Sequence, residues 1–302
     1  MVEIQRIVCP TDFSEFSSRA LDHALAVACW YKAEVSVVHV VPRFLMHPEF
    51  FPYVQEPVVP DVSIRKRATR ELGKFVHKAR EAGIATEVRL EDGDTVKEIV
   101  EIAKKLPADM IVMGTHGRRG FEKLVLGSVA EKILRKAPCP VLTVSRTPEK
   151  APVPETVLYK KILCPVDFSP SSTKALEYAM SLAQEAEARL ILLNVVEFFL
   201  PPEIVEQESL GLEQHRAHLH RDAEERLSRS VPKEAREWLD VEELVVAGRS
   251  YREILKVAEG KEVELIVMGV QGRSTLDLMV FGSTTQHVVR EAICPVLTIR
   301  SE

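Results

Sequence analysis

Ile7-Val-Cys-Pro-Thr-Asp-Phe-Ser14 returns later in the chain as Ile162-Leu-Cys-Pro-Val-Asp-Phe-Ser169. Each begins as an apolar, β-branched run and ends in a Pro-x-Asp-Phe-Ser turn. Reading outward, Met110-Ile-Val-Met-Gly114 recurs as Leu265-Ile-Val-Met-Gly269, and Cys139-Pro-Val-Leu-Thr143 as Cys294-Pro-Val-Leu-Thr298. Partners are 155 residues apart in every case. A constant offset from first strand to last means that a whole domain has been duplicated. Between the copies lies Arg146-Thr-Pro-Glu-Lys-Ala-Pro-Val-Pro-Glu155, whose three prolines disfavour helix and suggest a stiff extended linker. The expected organisation is one domain over residues 1–147, a Pro-rich linker over 148–155 and a second domain over 156–302. A length of 302 residues fits this, at about 150 per domain.

Each copy alternates short apolar runs with amphipathic segments. In the first, strands are expected over Ile4–Cys9, Val35–Val41, Ala85–Leu90, Met110–Met113 and Val141–Val144. Helices are expected over Phe16–Ala33, Val62–Ala82 (stopping at Gly83), Thr95–Leu106 and Ser128–Lys136. Parallel strands need crossover connections, so this alternation predicts an α/β fold: two tandem copies of a five-stranded parallel sheet flanked by helices. In such sheets ligands sit beyond the carboxyl ends of the strands, where the winding direction reverses. If strands one and four flank that point, Cys9–Ser14 and Gly114–Gly117 converge there.

Composition removes several function classes. The net charge is −5, from 40 basic and 45 acidic residues, against the basic field a general nucleic-acid binder carries. The longest apolar stretch, Leu190–Leu200, contains Asn194 and Glu197 and is too short to span a bilayer. The start, Met1-Val-Glu-Ile-Gln-Arg6, lacks the features of a signal peptide, and a cytoplasmic location is expected. Five cysteines without CxxC spacing suggest neither a disulfide framework nor a zinc site; Cys9, Cys139, Cys164 and Cys294 read as small buried hydrophobes at strand ends. His215, His218 and His220 read as a solvated helix face rather than a metal site.

The stretch Gly114-Thr-His-Gly-Arg-Arg-Gly-Phe-Glu-Lys-Leu-Val-Leu-Gly-Ser128 recurs as Gly269-Val-Gln-Gly-Arg-Ser-Thr-Leu-Asp-Leu-Met-Val-Phe-Gly-Ser283. Both read G-x2-G-x9-G-S, follow a strand and open a helix. Glycines at 114 and 117 are expected to let the backbone approach a ligand closely. Gly127-Ser128 stands at a helix start, where unpaired N–H groups and the helix dipole favour an anion such as phosphate. The Ser128 hydroxyl is suited to cap that helix or to bind a phosphate oxygen. Arg118 and Arg273 add charge that matches phosphate geometry. Asp12 and Asp167 are open to two readings, as ligand contacts or as helix caps.

The Pro-x-Asp-x-Ser end of strand one, the glycine loop and the Cys-Pro-Val-Leu strand together resemble the universal stress protein family, over nearly all of both halves. The resemblance implies ATP binding in a sheet-and-helix fold of the adenine nucleotide alpha hydrolase type. It implies that Asp12 and Val40 hold adenine and ribose in the first half, with Asp167 and Val195 equivalent in the second, and that Thr11, Met113, Val166 and Met268 complete those walls. It further implies that Gly114, Gly117, Gly127, Ser128 and Val129 cradle the phosphates, with Gly269, Gly272, Gly282, Ser283 and Thr284 as counterparts. A magnesium ion would bridge the phosphates, held mostly by phosphate oxygens and water. The family role implied is a stress-response sensor or regulator acting on a protein partner not identified by the sequence. Pairing of the last strands, Pro140–Val144 and Pro295–Ile299, would give an intramolecular pseudo-dimer or a homodimer of tandem chains.

The copies are not chemically equal. Thr11 becomes Val166, His116 becomes Gln271, Arg119 becomes Ser274 and Lys123 becomes Leu278. Loss of two cations from the second loop predicts weaker binding there. The aromatic, Pro-rich segment Phe44–Tyr53 and its analogue Phe198–Pro202 read as covering loops or as lids. The alternatives are a slow ATP hydrolase of the same fold and a scaffold that binds no nucleotide. An ATP pyrophosphatase is disfavoured because Cys9-Pro-Thr-Asp-Phe-Ser14 stands where a Ser-Gly-Gly-x-Asp-Ser loop is expected.

Overall fold

The computed structural model describes residues 2–42, 62–116, 126–145, 159–197, 210–270 and 282–300. The chain divides into two compact units, built essentially on residues 3–146 and 158–302.

In the first unit the elements run β1 (Arg6–Pro10), α1 (Glu15–Tyr31), β2 (Glu34–Pro42), α2 (Val62–Phe75), α3 (His77–Glu81), β3 (Thr86–Gly93), α4 (Thr95–Lys105), β4 (Met110–Gly114), α5 (Ser128–Lys136) and β5 (Val141–Val144). All pairings are parallel, in the order β3-β2-β1-β4-β5, with Cys9 opposite Val37 and Val8 opposite Ile111. The winding therefore reverses between β1 and β4. The α1 helix packs on β1, β2, β4 and β5, whereas α4 packs on β1, β2 and β3 and against α5. Strands covered on both sides must be apolar throughout, and Met110-Ile-Val-Met113 is buried along its length.

The second unit repeats this as β6 (Lys161–Pro165), α6 (Pro170–Glu185), β7 (Arg189–Val196), α7 (Leu210–Ser230), a 3-10 turn (Glu234–Glu237), β8 (Val241–Ala247), α8 (Ser250–Gly260), β9 (Leu265–Gly269), α9 (Ser283–Glu291) and β10 (Val296–Ile299). Its sheet has the order β8-β7-β6-β9-β10, again all parallel.

One expected helix differs. Val62–Ala82 is two helices, α2 and α3, separated at Val76, which takes φ −87° and ψ 4° and is fully buried. Val76 lies on the same buried face as Ala68, Leu72 and Ala79, donates its N–H to Leu72 O at 3.1 Å and accepts that of Arg80 at 3.2 Å, so the break is in backbone angles alone. The four strand-end cysteines are buried or nearly so. Burial pushes the Cys9, Cys139 and Cys294 thiols up to about 12 and raises Cys164 as well. Among the described residues no helix is long and apolar enough to cross a membrane.

Candidate nucleotide site

Each unit gathers three segments at the carboxyl end of its sheet. The first is the turn after β1. Asp12 Oδ1 accepts the Ser14 N–H at 3.0 Å, Thr11 Oγ1 accepts the Phe13 N–H at 3.0 Å, and Phe13 is thereby held at φ 63°. A bulky residue in the left-handed region costs about 1–2 kcal/mol, so the surroundings must enforce it. They do so with rings: Phe13 packs on His39 at 4.4 Å and edge-on to Phe75 at 6.1 Å. The second unit repeats the turn at Asp167, whose Oδ1 accepts both the N–H (3.0 Å) and the hydroxyl (2.6 Å) of Ser169. Phe168 there has φ 62° and lies under the Arg226 guanidinium at 4.0 Å.

These turns show that neither aspartate is the helix cap. The caps of α1 and α6 are Ser14 and Ser169, whose hydroxyls accept the N–H groups of Ser17 and Ser172, each at 3.2 Å. Asp12 and Asp167 instead brace the turn with one carboxylate oxygen.

The second segment is the end of β2 or β7. Thr11 donates its N–H to Val38 O, and Val166 donates to Leu193 O, each at 2.8 Å. Val40 and Val195, two residues further on, stand at the same edge, Val40 buried and Val195 half-buried. Two neighbours not anticipated from sequence tie the segments together. His39 Nδ1 donates to Thr11 O at 2.7 Å, and Asn194 Nδ2 donates to Val166 O at 2.7 Å. The signal was available: residues 39 and 194 occupy equivalent places and both interrupt apolar strands with a side-chain N–H donor.

The third segment runs from β4 or β9 into α5 or α9. Met113 and Met268 are buried at the strand ends. Gly127 donates its N–H to Thr115 O at 2.8 Å, and Gly282 donates to Val270 O at 3.0 Å, which brings each helix start back to the strand end. Gly127 and Gly282 are the N-caps of α5 and α9, and neither helix has a side-chain cap. Ser128 therefore opens α5 as its first residue and does not cap it. Ser128 and Ser283 are exposed, and Val129 and Thr284 half-buried. The copies differ at Val129 and Thr284 and again one residue later, where Ala130 is matched by Thr285, whose hydroxyl donates to Gly269 O at 2.9 Å. The first segment meets the third through Phe16, whose ring lies 5.4 Å from that of His116; His116 Nδ1 is 2.9 Å from Thr115 Oγ1.

Gly114 and Gly269 also sit under a tightly packed helix. A Cβ at Gly114 would lie 2.9 Å from Phe16 Cβ, and one at Gly269 2.7 Å from the Ser171 carbonyl carbon. These glycines admit the first turns of α1 and α6 against the sheet. Gly117, Arg118, Gly272 and Arg273 lie outside the described residues, as do Arg119, Lys123, Gln271, Ser274, Leu278, the segments 44–53 and 198–202, the 148–155 linker and the His215 side chain. His218 is exposed, while half-buried His220 reaches Val245 O through Nε2 at 3.2 Å and pairs with Glu224. Among the described residues no cluster of His, Cys, Asp and Glu could hold a metal ion.

The family model for the universal stress protein family matches the chain twice, over residues 3–145 and 158–300. The universal stress protein MJ0531 of Methanocaldococcus jannaschii is 37% identical over 147 residues, covering 47% of this chain and 82% of that protein. The universal stress protein Rv2005c of Mycobacterium tuberculosis is 28% identical over 289 residues, covering 91% of this chain and 92% of its own length. Among solved structures, a universal stress protein from Archaeoglobus fulgidus superimposes with a TM-score of 0.67 at 23% identity, covering 99% of this chain and 97% of that one, a likeness of fold.

Proposed function

The chain belongs to the universal stress protein family, and we propose that each of its halves binds an adenine nucleotide, with ATP the expected ligand and regulation of a stress response the output. The observation that carries this reading is the pair of helix starts at Gly127 and Gly282. Both lack a side-chain cap, and both are folded back onto the strand end beside an aspartate-braced turn. Uncapped N–H groups at a helix start are a phosphate-binding arrangement. In this reading Asp12 and Val40, with Asp167 and Val195 in the second half, hold the adenine and ribose, and Gly127–Val129 and Gly282–Thr284 take the phosphates. Gly114, Gly117, Arg118 and their counterparts Gly269, Gly272 and Arg273 complete the cradle by family resemblance. Magnesium would arrive with the nucleotide, held mostly by phosphate oxygens and water.

Calorimetric titration of the full-length protein with ATP, ADP and cyclic AMP tests this. Two ATP sites are expected, one lost in Asp12→Ala and the other in Asp167→Ala, the first-half site being the tighter. Absence of binding for all three ligands overturns the proposal in favour of a scaffold.

A further inference from the structure

In each unit the carbonyl just before the turn aspartate is held by a side chain, and the units use different residues to hold it. In the first, His39 Nδ1 lies 2.7 Å from Thr11 O; a carbonyl oxygen only accepts, so Nδ1 carries the proton. In the second, Asn194 Nδ2 donates to Val166 O, also at 2.7 Å. Imidazole Nδ1 and carboxamide Nδ2 are both bonded directly to Cγ. An aromatic ring and an amide therefore present a donor from the same place.

The donor stands where the strand pairing runs out. Pairing of β1 with β2 ends at Pro10 opposite Val38, and that of β6 with β7 ends at Pro165 opposite Leu193. Thr11 and Val166 each add one more backbone bond through their N–H groups, to Val38 O and Leu193 O. Their carbonyls are then met by a side chain of the neighbouring strand. Both residues are buried, so a carbonyl stripped of that donor would carry a desolvation cost. The peptides are trans, so a C=O turned towards β2 or β7 sends the N–H of Asp12 or Asp167 the opposite way, to the β4 or β9 side where the winding reverses. One hydrogen bond thus sets the plane of the peptide from which the aspartate departs.

We infer that His39 and Asn194 are positioning residues for the two nucleotide sites, acting through the Thr11 and Val166 carbonyls to aim the aspartate turn. This rests on the reading that each half binds an adenine nucleotide. Each donor directly precedes the valine assigned with that aspartate to the adenine and ribose, so a single residue couples Asp12 to Val40 and Asp167 to Val195. His39 has a second task that Asn194 lacks. Its ring packs on Phe13 at 4.4 Å, whereas Phe168 lies under the Arg226 guanidinium at 4.0 Å. Substitution separates the two tasks. His39→Asn keeps a donor on Cγ and loses the ring. His39→Gln also loses the ring and moves the donor one bond further out, away from Thr11 O.

The test titrates the full-length protein carrying Asp167→Ala, freed of nucleotide, with ATP by calorimetry, so that the first-half site is read. In that background His39→Asn should bind within about threefold of the parent, and His39→Gln about tenfold more weakly or worse. Both should melt at lower temperature than the parent, because both lose the ring. A merely structural role would move affinity and melting together, whereas the positioning role splits them. Parental affinity in His39→Gln, or equal losses in the two variants, overturns the inference and leaves the nucleotide reading standing. A parent that binds no ATP overturns the nucleotide reading and this inference with it. Should His39→Gln fail to fold, the second half answers the same question in an Asp12→Ala protein. There Asn194→His should keep ATP binding and Asn194→Leu should weaken it about tenfold, and unchanged binding in Asn194→Leu overturns the inference.

Discussion

Gly114 lies so close to Phe16 that a Cβ on the glycine would stand 2.9 Å from the Cβ of the phenylalanine, and Gly269 has the same relation to Ser171. Helix and strand meet there with backbone against backbone, which fixes the turn carrying Asp12 or Asp167 relative to the strand end. Gly114→Ala and Gly269→Ala should each destabilise their unit by about 1–3 kcal/mol through overpacking. Gly73, in α2 with nothing within 4 Å of its missing Cβ, is the control. Gly73→Ala should be neutral or stabilising by up to about 1 kcal/mol, read from urea midpoints.

The two capping serines should differ in cost. Ser14→Ala removes a cap and should cost about 1 kcal/mol. Ser169 is buried and also donates its hydroxyl to Asp167 Oδ1 at 2.6 Å, so Ser169→Ala should cost more, about 2 kcal/mol. Chemical denaturation of the two variants measures the difference.

His23, on α1, should make the fold less stable in acid. Burial, and secondarily the Arg19 guanidinium, lower its pKa from 6.5 to about 4. Between those values the unfolded chain binds more protons than the folded one, so this contribution is full above pH 6.5 and is lost as pH falls towards 4. His23→Gln should flatten the pH dependence of stability in that window by at most about 3 kcal/mol. An unchanged slope would show that other groups set it.

Of the five cysteines, Cys29 is the exposed one, while burial raises the thiol pKa of the other four. A thiol reagent at neutral pH should label one site quickly in the native protein. Cys29→Ser should abolish that fast phase.

The fold was largely legible because duplication and continuously apolar strands are properties of sequence alone. Met110–Met113 could be placed as a buried parallel strand without knowing its neighbours. The break at Val76 was not legible, since Val76 continues the helical spacing of the buried Ala68, Leu72 and Ala79. Gly114 stood out in the sequence as a loop glycine, but the approach of Phe16 was not legible, because it depends on a contact between segments about a hundred residues apart. The cap was assigned among Asp12, Phe13 and Ser14 only by hydrogen bonds, because both polar types cap helices. The stacking of Tyr251 on His287 went unremarked because it joins two helices that lie apart in the sequence.

If both halves hold an adenine nucleotide, the protein as purified should carry it. The protein would be purified without added nucleotide and denatured, and the released small molecules quantified by chromatography and mass spectrometry. The account predicts adenine nucleotide at one to two equivalents per chain, with the first-half site filled preferentially. An empty protein that also fails to take up added ATP would contradict it.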